Sequence, residues 1–166
     1  MRHVVFLILL TATVSAHAQA PDPQYGIKED GSRTGSAISR YAVSPFTIPI
    51  NQTYQQLSPS DRLKVHQNYE AIAPGDEPPF PAAGLVAIFD PLRKAQQKLL
   101  ANEKLFLVAM VDGAGKVTEV SAFGSQDSDM AKFAAQVLLL TPFKPAVCSG
   151  KPCPMQFPLR VDFRVE

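Results

Sequence analysis

The chain has 166 residues, of which 46% are hydrophobic and 19% charged, with no Trp and a net charge of +1. That is enough for one ordinary domain with extra segments and too short for two. Near-neutral charge leaves no electrostatic footprint for nucleic acid or an anionic membrane surface. The 15 prolines point to extended or loop-rich stretches.

The first twenty residues read as an export signal. Arg2 and His3 precede the apolar run Val4 to Leu10, which continues with small residues to about Val14. Ala16-His17-Ala18 and Ala18-Gln19-Ala20 then offer A-x-A cleavage sites. The run is shorter than the roughly 20 apolar residues that a membrane anchor needs. An uncleaved anchor is the alternative reading. Cleavage would remove one cation, Arg2, and no acid, leaving a mature net charge of zero.

Residues 21–56 carry Pro21, Pro23, Gly26, Gly31, Gly35, Pro45 and Pro49 without sustained periodicity, and read as a linker. Phe46, Ile48 and Ile50 alternate, so a short docked strand is compatible with this stretch. The domain is placed at residues 57–166. Ser58-Pro59-Ser60-Asp61 predicts a helix start, with Pro74-Gly75 as its end. Gly75 to Pro81 predicts an extended, polyproline-like bridge.

Leu85, Ile88, Phe89, Leu92, Ala95 and Leu99 form one helical stripe. Pro91 interrupts it, which predicts either a helix beginning near Asp90 or a longer one kinked there. Leu105 to Val111 is apolar throughout, as expected of a strand covered on both faces. Asp112-Gly113-Ala114-Gly115 supplies a turn into a second strand, Lys116 to Phe123, making a hairpin. A helix capped between Ser125 and Asp129 follows, with Met130, Phe133, Ala134, Val137 and Leu138 on one side and Thr141-Pro142 as its stop.

The closing strand is the clearest element. Met155, Phe157, Leu159, Val161, Phe163 and Val165 alternate with Gln156, Pro158, Arg160, Asp162, Arg164 and Glu166. Pro158 cannot donate to a ladder, which predicts a free edge there. The fold class is therefore α+β, a small antiparallel sheet packed against helices.

Cys148 and Cys153 are the two cysteines. In an exported chain such a pair predicts a disulfide, and the C-x4-C spacing argues against a thioredoxin-type couple.

Several pieces, in order, resemble the C-terminal domain of TonB-type energy transducers. They are Asp112-Gly113-Ala114-Gly115-Lys116-Val117-Thr118-Glu119-Val120, then Phe143-Lys144-Pro145-Ala146, Gly150-Lys151-Pro152 and the alternating last strand. Pro79-Phe80-Pro81 stands where that family carries a Tyr-Pro motif. The pieces span roughly residues 78–166. The resemblance implies a periplasmic domain that binds an extended segment of an outer-membrane transporter, or a second copy of itself, by strand addition. The acceptor would be Gln156, Pro158, Arg160, Asp162 and Arg164, with Phe80 and Pro81 as a secondary contact. Two features depart from the family: a short spacer in place of a long one, and the cysteine pair around Gly150. With residues 4–20 retained as an anchor, the chain would instead be a short energy transducer.

The residues argue against an enzyme. His66 is the only His after residue 20, and a lone His assembles neither a zinc site nor a catalytic triad. Asp127 and Asp129 around Ser128 read as helix capping. Gly113 and Gly115 lack the third glycine and the context of a dinucleotide site. No cofactor is expected, and Asn51-Gln52-Thr53 carries no meaning as a glycosylation acceptor in bacterial export. A periplasmic enzyme of unrecognised activity is the rival reading. Arg160, Asp162 and Arg164 admit two readings, protection of an edge against aggregation or selection of a partner strand.

Overall fold

The computed structural model describes residues 48–70, 72–124 and 128–164. The stretch expected to be an export signal, most of the proposed linker, Ser125, Asp127 and Val165 lie outside the described residues. Among the described residues no helix is long and apolar enough to cross a membrane.

The architecture is α+β with small antiparallel sheets. A single 3-10 turn at Tyr54–Gln56 leads into α1 (Pro59–His66). The Ser58 hydroxyl accepts from the Asp61 amide at 3.2 Å, and Pro59 takes the first helical position, where its missing N–H costs nothing. This start matches the one expected. The helix ends at His66, well before Pro74, because turns at Asn68 and Tyr69 bring the Tyr69 ring into the protein. Upstream, Ile48 and Tyr54 are buried in the core, although both fall within the stretch read as linker.

The Pro-rich bridge is extended but not a solvent-exposed spacer. Its residues Phe80–Pro81 form β1, paired with β4 (Phe143–Lys144), and Pro78, Pro79 and Pro81 are fully buried. Next, α2 (Val86–Leu99) contains Pro91 in its interior, so the longer of the two expected helices forms, at the cost of the bond to the Ala87 carbonyl. Ile88 and Leu92 are its buried positions. Leu100, with φ of 50°, ends it.

The main sheet has three strands, β2 (Lys104–Val111), β3 (Val117–Gly124) and β7 (Met155–Asp162), in the order β3-β2-β7. Both pairings are antiparallel, and β2 is central. The hairpin turn is closed by Asp112, whose carboxylate accepts from the Ala114 and Lys116 amides, both at 2.9 Å. Gly115, with φ of 81°, is irreplaceable here, since a Cβ would run into the Phe143 carbonyl.

β2 is not covered equally on both faces. Leu105, Leu107, Ala109 and Val111 are buried, while Phe106, Val108 and Met110 are half-buried. The second face is apolar because Phe106 pairs with the Phe123 ring at 5.3 Å and lies under the Arg160 guanidinium at 3.8 Å. The first face carries α3 (Asp129–Leu140), capped by the Ser128 hydroxyl accepting from Ala131 N at 2.9 Å. Met130, Ala134 and Leu138 pack into the core from this helix, and its small residues Ala131, Ala134 and Ala135 are fully enclosed. The hairpin β5 (Ala146–Cys148) and β6 (Lys151–Cys153) closes the fold before β7.

Candidate protein-binding edge

β7 forms one border of the three-stranded sheet, and among the described strands it pairs with β2 alone. Two hydrogen bonds fix which flank each of its residues faces. The Phe163 amide donates to the Glu103 carbonyl at 2.8 Å, on the side of β2. The Gln156 carbonyl accepts from the Tyr69 hydroxyl at 2.9 Å, away from β2. Main-chain groups alternate along a strand, so Phe157, Leu159 and Val161 bond to β2, and Gln156, Pro158, Arg160 and Asp162 turn toward the outer flank. Pro158 thus sits where its missing amide costs the ladder nothing.

Side chains follow the same period. Phe157, Leu159, Val161 and Phe163 are buried on the core face. Gln156, Pro158 and Arg160 are half-buried on the opposite face, and Asp162 and Arg164 are exposed. Arg164 donates to the Asp162 carboxylate at 2.8 Å. That hydrogen bond holds the carboxyl below its ordinary range and raises the guanidinium above its own. The Arg164 carbonyl accepts from Gln96 of α2 at 2.8 Å. Asp162 therefore answers Arg164, while Arg160 lies on Phe106.

Phe80 and Pro81 are elsewhere. They sit in β1 with their side chains buried, Phe80 against the Tyr54 ring at 5.9 Å. Their link to β7 runs through β4: Phe143 is the register partner of Pro81, and its ring meets that of Phe157 edge-on at 5.0 Å. They support the strand from inside and add no surface to its outer flank.

Cys148 and Cys153 form a disulfide, with Cα atoms 5.8 Å apart. It closes the β5–β6 hairpin over the turn Ser149-Gly150, both with φ above zero. The hairpin is held to the chain before β1. Glu77 and Val147 exchange two main-chain bonds of 2.9 and 2.8 Å, and the Ser149 amide donates to Asp76 at 2.8 Å. A disulfide fits an oxidising compartment.

A polar group lies beside β1. The Tyr54 hydroxyl is 3.0 Å from His66 Nε2, and Lys144 Nζ is 2.9 Å from Glu77 and 4.7 Å from the centre of the Tyr54 ring. Burial pushes the Tyr54 hydroxyl up to about 12. Burial also lowers His66, with Glu77 opposing and Lys144 adding to the shift. Among the described residues no group of three or more His, Cys, Asp or Glu could hold a metal ion. Compared with known proteins, the chain matches no family model and no curated protein.

Proposed function

We propose that this is a periplasmic protein-interaction module resembling the TonB C-terminal domain. It receives an extended segment, from an outer-membrane transporter or from a second copy of the chain, along the outer flank of β7. One observation carries this reading: β7 lies at the border of its sheet with the main-chain groups of Pro158 and Asp162 turned away from β2. The Pro158 carbonyl and the Asp162 amide and carbonyl supply bonds for an added strand, as main-chain pairing requires. The exposed Asp162–Arg164 pair stands beside them and biases the choice of partner by charge.

A photo-activatable cross-linker placed at position 158 in living cells tests the reading. The expected adduct joins the chain to an outer-membrane transporter or to another copy of itself. Recovery of neither, from a variant that folds and is exported, rules the reading out.

A further inference from the structure

The outer flank of β7 is closed at both ends by side chains of the same chain. At its start the Gln156 carbonyl accepts from the Tyr69 hydroxyl at 2.9 Å. The Tyr69 ring is buried, and its amide donates to the His66 carbonyl at 3.0 Å, so the hydroxyl is held in place from both sides. At the far end the Phe163 amide faces β2, which turns Arg164 to the outer side. The Arg164 carbonyl accepts from the Gln96 side chain of α2 at 2.8 Å. Between these two bonds the outward groups of Pro158 and Asp162 lie about 13 Å apart, the span of about five extended residues.

The two closures act differently on different occupants. A short peptide pairs over that span, and its ends can leave the sheet at once. A second copy of β7 continues past both limits. In the two-fold antiparallel pairing that sets Pro158 against Asp162 of the second copy, Gln156 falls opposite Arg164 of the second copy. Tyr69 of one chain then meets Gln96 of the other at both ends of the ladder. Shifting the register by two does not avoid this, since it sets Gln156 against Asp162 or Arg164 against Pro158.

We infer that Tyr69 and Gln96 determine the specificity of this edge: they admit a short extended segment of another protein and exclude β7 of a second copy. This rests on the strand-addition reading and selects between its two occupants.

Two end-blocked synthetic probes with the chain's own strand sequence test the inference, one of residues 158–162 and one of residues 155–163. Binding is read from the shift of the Asp162 amide resonance in the full chain. The wild type should bind the longer probe no more tightly than the shorter. Gln96→Ala, which keeps α2 intact, and Tyr69→Leu each open one end. Each should bind the longer probe about tenfold more tightly than the shorter. Gln96→Ala decides the matter by itself should Tyr69→Leu fail to fold. Preference for the longer probe in the wild type, or none in Gln96→Ala, overturns the inference and leaves strand addition standing. No shift with either probe in any of the proteins overturns both. Diluting the wild type alone should leave the Asp162 amide unmoved, and a concentration-dependent shift there overturns the inference as well.

Discussion

Tyr69 donates its hydroxyl hydrogen to the Gln156 carbonyl at 2.9 Å across 87 residues of sequence, joining the turn after α1 to the border strand of the sheet. The ring is buried, and burial raises the hydroxyl far above its ordinary range, so the group stays a donor at any physiological pH. Tyr69→Phe keeps the ring and deletes the bond. Equilibrium unfolding in urea should show a loss of about 1 kcal/mol. An unchanged midpoint would mean that the bond contributes nothing to holding β7.

Proline substitutions along β7 should obey its alternation. Pro158→Ala restores an amide on the outer flank and should leave the melting temperature nearly unchanged. Leu159→Pro removes an amide aimed at β2 and should abolish cooperative unfolding. Equal melting of the two variants would show that the flanks have been assigned the wrong way round.

Stability should fall in mild acid through His66. Burial lowers its pKa in the fold below the ordinary 6.5. The neutral ring therefore contributes stability that is complete above about pH 6.5 and is lost as the pH falls toward the lowered value. His66→Gln, which preserves a partner for Tyr54, should flatten that decline. Identical pH profiles for the two proteins would place the acid sensitivity elsewhere.

The disulfide closes a short loop, so its contribution should be modest, about 2 kcal/mol on chain-entropy grounds. Replacing Cys148 and Cys153 together by Ser should cost about that in a urea titration. The domain should still fold, because the Glu77–Val147 bonds and the Asp76–Ser149 contact continue to hold the hairpin. Complete unfolding of the double variant would give the cysteines a larger part than this.

Much of the fold was legible because local chemistry decided it. Ser58 and Ser128 announce helix starts through their hydroxyls, Asp112 and Gly115 specify the hairpin turn, and the strict alternation from Met155 to Asp162 defines a half-covered strand. Other features depend on distant partners. The end of α1 follows from where Tyr69 is buried, which no signal near Pro74 encodes. Phe106, Val108 and Met110 read as core by composition, and only the pairing with Phe123 and Arg160 shows that they form a second face. The group around Tyr54 and His66 was invisible for the same reason. Lys144 and Glu77 reach it from β4 and from the approach to β1, far away in sequence. At the candidate edge, the period and Pro158 were readable, whereas the burial of Phe80 and Pro81 required their pairing with β4.

The proposed strand addition at β7 would depend on main-chain groups rather than on side chains. Once cross-linking at position 158 has defined the bound segment, its affinity as a synthetic peptide should be compared for wild type, Asp162→Ala and Asp162→Pro. Only the proline variant loses the outward amide, while the ladder to β2 stays whole. The account predicts near-normal binding by Asp162→Ala and a loss of about tenfold for Asp162→Pro, the worth of one hydrogen bond. Equal binding by both variants, or equal loss in both, would contradict it.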